Sequence, residues 1–124
     1  MEVVRTSHDE GQLKEEYCII NNKKEGLHKA YHKNKQLYEI YSYVNGKENG
    51  ECKQYYQNGQ LFEICNYVNG EINGEYKSYH ENGQLCRICN YIDGKTNGEY
   101  KEYSNGILIN HEIYENDDII QIVS

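Results

Sequence analysis

Short apolar runs separated by Asn-Gly pairs make up most of this chain. Residues 61–68 (LFEICNYV) are rich in aromatic and β-branched side chains and lack the 3.6-residue spacing of a helix, so we expect a strand there. Residues 75–79 form a second, shorter run. Asn69-Gly70 and Asn73-Gly74 bracket a short loop between the runs, and Asn82-Gly83 follows the second run. Because both residues of an Asn-Gly pair accept positive φ, these pairs predict tight hairpin turns.

This two-strand unit recurs every 24 residues, as in a repeat protein. Glycines keep the period at Gly46, Gly70 and Gly94. The first strands of the units are predicted to begin near Leu13, Leu37, Leu61, Leu85 and Leu108, and the second strands near Leu27, Glu51, Glu75 and Glu99. Half-units at residues 2–7 and 119–123 bring the expected total to about 11 strands.

These elements predict an all-β fold. It is an elongated, single-layer antiparallel β-meander built from about five 24-residue hairpin repeats. Residues 1–124 form a single repeat domain, with cap strands at residues 1–7 and 117–124 and the repeats at residues 8–116. A parallel β-solenoid with 24 residues per coil is the competing architecture. The tight Asn-Gly turns favour the meander, because parallel neighbours need longer crossovers.

Both faces of the predicted sheet carry apolar side chains. Alternation along residues 61–68 places the odd positions, including Leu61 and Cys65, on one face and the even positions, including Phe62 and Ile64, on the other. The chain contains 14 tyrosines and no tryptophan. The apolar surface is therefore amphipathic, since most of its rings carry a hydroxyl group.

The five cysteines are predicted to be free thiols. Cys65 and Cys89 fill slots that hold tyrosine in other repeats, which is the usual behaviour of a buried cysteine. Equivalent positions of adjacent units lie about 9.6 Å apart in a meander, too far for these two cysteines to form a disulfide. Cys86 and Cys89 spell C-x-x-C, but positions three apart on a strand point to opposite faces. We therefore expect no metal or redox site.

A net charge of −7 and a pI near 5.2 argue against nucleic acid as a partner. A local basic cluster nevertheless occurs in the first half of the chain, and its members are the candidate lipid-binding residues Lys23, Lys24, Lys29, Lys33 and Lys35. No segment has the length and apolarity of a signal peptide or membrane span, so we expect a cytoplasmic protein. The abundance of Asn, Ile, Tyr and Lys suggests an AT-rich source genome, viral or bacterial, and a viral protein would occupy the host-cell cytoplasm.

No catalytic constellation can be assembled from the sequence. We interpret the histidines as occupying different slots of the repeat; they are His8, His28, His32, His80 and His111. Glu51, Glu75 and Glu99 share one slot beside a glycine but have no histidine partner there. Without a nucleophile, a base and a group to orient it, we expect no enzyme activity and no cofactor.

The pattern N-G-x-x-N-G-E-Y-K-x-Y-x-x-N-G-Q-L, which begins at Asn69 and ends at Leu85, resembles the MORN (membrane occupation and recognition nexus) repeat. It is most similar to the 22–24 residue variant found in bacterial proteins described as antitoxin components. The resemblance covers residues 8–116, and the first copy departs from it at Lys35 and at Gly26-Leu27. It implies an elongated antiparallel meander used for protein contacts, homodimerisation or lipid binding.

We therefore hypothesise a non-catalytic scaffold for protein–protein interaction that also self-associates. The candidate partner-binding residues are the tyrosines Tyr55, Tyr76, Tyr79, Tyr100 and Tyr103. Self-association is expected as a homodimer, through edge strands such as residues 119–123 (IIQIV) or through sheet faces. The alternatives are a membrane-surface module that binds anionic lipid through the basic cluster, and an antitoxin-like binder that neutralises a protein partner.

Overall fold

A computed structural model describes residues 1–123, and these residues contain β-strands and no helix. The strands in chain order are β1 (Glu2–Ser7), β2 (Leu13–Ile20), β3 (Lys23–Tyr31), β4 (Leu37–Val44), β5 (Lys47–Glu48), β6 (Gly50–Tyr55), β7 (Leu61–Val68), β8 (Glu71–Ile72), β9 (Gly74–Tyr79), β10 (Leu85–Ile92), β11 (Lys95–Thr96), β12 (Gly98–Ser104), β13 (Ile107–Glu115) and β14 (Asp118–Ile122).

All strands belong to one open antiparallel sheet. Eleven of them follow one another across it in the order β1-β2-β3-β4-β6-β7-β9-β10-β12-β13-β14, and the two-residue strands β5, β8 and β11 pair beside this path. The predicted single-layer meander is therefore confirmed, and the parallel solenoid is wrong. The strand count along the path also matches the count expected from the repeats.

The turn at Asn69-Gly70 has the geometry that its sequence predicts. Asn69 and Gly70 have φ of 49° and 84°, both positive, as in the two-residue hairpin turn whose twist matches its strands. The prediction of a short loop between Asn69-Gly70 and Asn73-Gly74 is wrong, because Glu71–Ile72 forms β8 and pairs with β7. Gly74, at φ 96°, begins β9 and lies opposite Tyr91 on β10.

A β-bulge recurs near the start of the first strand of each repeat. Tyr55 pairs with Leu61 while Gln54 pairs with Glu63, so Phe62 has no partner in the register. The extra residue reverses the alternation before it, and Leu61 therefore lies on the same face as Ile64. The expectation that Leu61 shares a face with Cys65 is wrong for this reason, since turn chemistry marks the end of a strand but not a bulge within it.

The two faces of the sheet differ in packing. The register places every buried side chain of residues 1–123 on one side, which we call the packed face, and these side chains are His28, Ala30, Cys52, Cys65, Ser78 and Cys89. The opposite side, which we call the open face, carries Lys53, Ile64, Lys77 and Ile88 in one row across the strands. Because the sheet has a single layer, burial comes from neighbouring side chains on the same face.

Candidate functional site

The five candidate tyrosines lie on opposite faces of the sheet. Tyr55, Tyr79 and Tyr103 are on the open face, where they pair with Leu61, Leu85 and Leu108 respectively. Tyr76 and Tyr100 are on the packed face, opposite Cys89 and Glu112. The structure therefore does not bring the five together into one groove.

The two packed-face tyrosines have their hydroxyl groups engaged within the protein. The Tyr76 hydroxyl donates a hydrogen bond to the Glu63 carboxylate, and the Tyr100 hydroxyl donates one to Glu102 at 2.7 Å. Burial, reinforced by these carboxylates, raises the pKa of Tyr76 and of Tyr100. These contacts indicate that Tyr76 and Tyr100 stabilise packing within the sheet.

The three open-face tyrosines are half-buried, and within residues 1–123 their hydroxyl groups make no hydrogen bond. Each ring lies beside a leucine of the next strand, so tyrosine and leucine alternate along one edge of the face. Leu61, Ile64 and Tyr79 line a shallow depression of about 340 Å³ on this face. Aromatic rings with free hydroxyl groups beside aliphatic side chains suit contact with another protein.

Charged pairs repeat beside this tyrosine–leucine row. The Nζ atoms of Lys53 and Lys77 lie 3.2 Å from the carboxylates of Glu51 and Glu75, and the fourth repeat has the pair Lys101–Glu99 at 3.1 Å. The hydrogen bond from Lys101 holds the pKa of Glu99 below its usual value. Exposed pairs of this kind contribute little stability. Their position beside the apolar row gives that row a polar rim.

The basic cluster is dispersed in the fold. Lys23 and Lys29 lie on the open face of β3, whereas Lys24 is on the packed face with its Nζ atom 4.6 Å from the centre of the Tyr17 ring. Lys33 and Lys35 lie in the turn at the opposite end of that strand. The five lysines are thus divided between the two faces and the two ends of β3, because successive side chains of a strand point to opposite faces and the strand separates its two ends.

Three of the five histidines share one slot, so the interpretation that each occupies a different slot is wrong. The Nε2 atoms of His8, His32 and His80 are 2.9–3.1 Å from the main-chain oxygens of Tyr31, Tyr55 and Tyr103. Tyr56 takes the same slot, and its hydroxyl donates to the oxygen of Tyr79 at 2.7 Å. The 24-residue spacing of these four positions in the sequence was the signal that could have identified them.

His28 is the most deeply buried side chain of the packed face. Its ring stacks between the rings of Tyr17 and Tyr41, with centroids 4.9 and 4.7 Å away, and its Nε2 atom is 3.1 Å from the Glu15 carboxylate. Burial, followed by the charge of Lys24, lowers the pKa of His28. This histidine therefore acts as a packing residue in the slot that Cys52, Tyr76 and Tyr100 fill in later repeats.

The five cysteines are free thiols, as predicted. Cys52 lies directly opposite Cys65 on the packed face, a proximity that comparison of equivalent slots alone does not reveal. Burial raises the pKa of Cys89 to about 11. Within residues 1–123, no three His, Cys, Asp or Glu side chains are arranged to hold a metal ion.

No helix in the described part of the chain has the length and apolarity needed to cross a membrane. A family model described as the MORN repeat variant matches residues 24–45, 48–69 and 72–93. No curated protein matches the chain. Each matched segment contains the second strand of one unit, the Asn-Gly or Lys35-containing turn after it, and the first strand of the next unit. These segments account for more than half of the chain and keep its 24-residue spacing, so the chain belongs to the MORN repeat variant family.

Proposed function

We propose that this protein is a non-catalytic scaffold that binds a protein partner through its open face. Repeats of this family act as scaffolds for contacts with proteins or membranes. The observation that carries the proposal is the row in which Tyr55, Tyr79 and Tyr103 alternate with leucines while their hydroxyl groups have no partner within residues 1–123. A row of this kind offers rigid rings and free donors at regular intervals of two strands, or about 9.6 Å.

The packed face is less suited to this role. The hydroxyl groups of Tyr76 and Tyr100 already donate hydrogen bonds to neighbouring glutamates, so a partner would have to displace these bonds. We therefore assign partner binding to Tyr55, Tyr79 and Tyr103 and structural packing to Tyr76 and Tyr100. An antitoxin-like role, in which the partner is neutralised by this contact, is a special case of the same proposal. Self-association as a homodimer, through edge strands or sheet faces, is a separate part of the proposed function. We also propose that the protein acts in the cytoplasm.

Binding to anionic lipid is the second candidate. The observation in its favour is an apolar depression of about 530 Å³ at the N-terminal end of the open face, lined by Val3, Ile20 and Leu27. Its border carries Arg5 and Lys29 together with Glu16 and Glu25, and Arg5 is paired with Glu16 at 2.7 Å. The dispersal of the remaining lysines weakens this candidate, because electrostatic attraction to a membrane needs several basic groups on one surface.

Capture of a protein from the native cell by the immobilised chain tests the first candidate. We expect Tyr79→Ser with Tyr103→Ser to lose the captured protein while circular dichroism shows an intact sheet. Val44→Ser with Val68→Ser is the matched control, since these exposed side chains flank turns away from the tyrosine row. Retained capture by the tyrosine variant would refute the assignment of this row.

Sedimentation with phosphatidylserine vesicles tests the second candidate. The variant Lys23→Glu, Lys29→Glu and Lys33→Glu should remove any vesicle binding and leave protein capture unchanged. Lys24 is left in place because its contact with Tyr17 belongs to the packing of the sheet. Loss of cellular function in this lysine variant, together with normal function of the tyrosine variant, would favour the membrane role over the protein-binding role.

A further inference from the structure

Two buried cysteine side chains face each other in the middle of the sheet. The register pairs Cys52 of β6 directly with Cys65 of β7, and only 8% of Cys52 and 6% of Cys65 is exposed. Both lie on the packed face as free thiols. In the equivalent hairpin of β9 and β10, the facing residues are Tyr76 and Cys89. Among residues 1–123, only the β6–β7 hairpin therefore places one thiol opposite another.

The spacing of the two residues suits a disulfide bond. Directly opposite residues of antiparallel strands have Cα atoms about 4.5–5.5 Å apart. Disulfides join residues whose Cα atoms are about 4.4–6.8 Å apart, so the backbone of β6 and β7 is already within range. Cys89 lies two strands from Cys65, about 9.6 Å away, and Cys18 pairs with other residue types. Cys52 and Cys65 are thus matched to each other and not to the remaining thiols.

The environment of the pair prepares one thiol to react before the other. A hydrogen bond from the Cys52 thiol lowers the pKa of Cys65, although burial opposes this effect. The same contact, followed by burial, raises the pKa of Cys52. Because the thiolate is the nucleophile, Cys65 attacks an oxidant first and Cys52 reacts second. The sheet has a single layer, so a small oxidant need displace only side chains to reach the pair.

We propose that Cys52 and Cys65 form a reversible redox pair whose disulfide locks the β6–β7 hairpin. The oxidant is a peroxide. The Cys65 thiolate attacks one oxygen atom of hydrogen peroxide, and the O–O bond breaks to leave a sulfenic acid and hydroxide. The sulfur of Cys52 then attacks the sulfenic sulfur, so the S–S bond forms and the second oxygen leaves as hydroxide.

The two hydroxides take up the two protons that the thiols release. Two thiols and one peroxide therefore give one disulfide and two water molecules, with the thiols oxidised and the peroxide reduced. Two molecules of a small thiol such as glutathione reverse the reaction by thiol–disulfide exchange. A disulfide that forms and breaks in this way is the kind found in reducing compartments.

The disulfide closes a loop of residues 52–65. This loop contains the turn between the two strands and the pair Tyr55–Leu61, one of the three tyrosine–leucine pairs of the open face. Local opening of a hairpin separates its strands, and a covalent bond between the strands prevents this. Oxidation on the packed face thereby holds part of the open face in register. Formation of the bridge does not depend on the open-face proposal.

Tryptic mapping of the folded parent chain after exposure to hydrogen peroxide tests the pairing. Trypsin cleaves after Lys53, so it releases Cys52 in peptide 48–53 and Cys65 in peptide 54–77. Each of the other cysteines falls in a tryptic peptide of its own, so every possible pair has a distinct mass. We expect peptides 48–53 and 54–77 to be joined before reduction and separate after it, while the intact chain loses two hydrogen atoms and remains a single chain. Separate peptides after peroxide treatment, or another pair joined in their place, would overturn the proposal.

Two cysteine variants provide the matched comparison. Cys52→Ala should abolish the joined peptides. Cys89→Ala, which changes another buried cysteine of the packed face, should retain them. Loss of the joined peptides in the Cys89 variant would overturn the assignment to this pair.

Hydrogen exchange of the parent chain provides a measurement that does not depend on a variant folding. Amides of Gly50–Tyr55 and Leu61–Val68 should exchange more slowly in the oxidised chain than in the reduced chain, while those of Ile107–Glu115 should not change. Equal exchange in the two states would overturn the locking of the hairpin. Protein capture by the reduced chain is read separately, so failure of the redox pair is distinct from failure of the open-face proposal.

Discussion

Tyr56 joins one repeat to the next through a single side-chain hydrogen bond. Its hydroxyl donates to the main-chain oxygen of Tyr79 at 2.7 Å, and its ring packs against Phe62 with centroids 5.0 Å apart. Tyr56→Phe removes the hydroxyl and keeps the ring packing. Because the bond joins two neutral groups, its loss should lower the free energy of unfolding by about 1 kcal/mol. For a chain of this length the melting temperature should fall by roughly 3–5 °C.

Tyr79→Phe is the matched control, since it also removes one tyrosine hydroxyl but one with no hydrogen bond within residues 1–123. We expect the control to change stability by less than about 0.5 kcal/mol. Both variants are compared with the parent by urea and thermal unfolding followed by circular dichroism. Tyr56→His should recover part of the loss, because His32 and His80 make the same bond from this slot. Equal stability of the two phenylalanine variants would refute a stabilising contact between repeats at this position.

Three further predictions concern backbone strain and ionisation. Gly74 has φ of 96° and open space around the position of an added Cβ, so Gly74→Val should cost about 1 to 3 kcal/mol in urea unfolding through backbone strain alone; a parent-like midpoint would contradict this. Lys35 adopts φ of 72° where other repeats have glycine, so Lys35→Gly should stabilise the protein by about 1 kcal/mol in the same assay, and a loss of stability would argue against strain at that turn. Burial raises the pKa of Tyr67 from 10.0 to about 12 and that of Cys89 from 9.0 to about 11. The folded state thus holds these protons more tightly than the unfolded state. The stability that the two groups contribute is therefore complete below pH 9.0 and falls as the pH rises to about 12. Urea unfolding at a series of alkaline pH values should record this decline, and a flat profile would contradict it.

Local chemistry in the sequence was sufficient to predict the repeat, the strands and the turns. Asn69-Gly70 illustrates why, because both residues accept positive φ and the pair therefore favours a tight hairpin turn. A fixed 24-residue period then propagates one local structure along the chain, so a meander follows without knowledge of distant contacts. The family resemblance rested on the same motif and is confirmed by the matched repeats.

The pairing between strands determined on which face of the sheet each side chain lies, and the sequence alone did not reveal this. The bulge at Phe62 depends on how Tyr55 and Gln54 align with the next strand, and that alignment moves Leu61 to the open face. The same register separates Tyr79 from Tyr76 and divides the lysines of β3 between two faces, although each set looked like one surface in the sequence. A side chain's face depends on the register of its neighbours, and one extra residue reverses it, so the tertiary structure alone decided which candidate residues can act together.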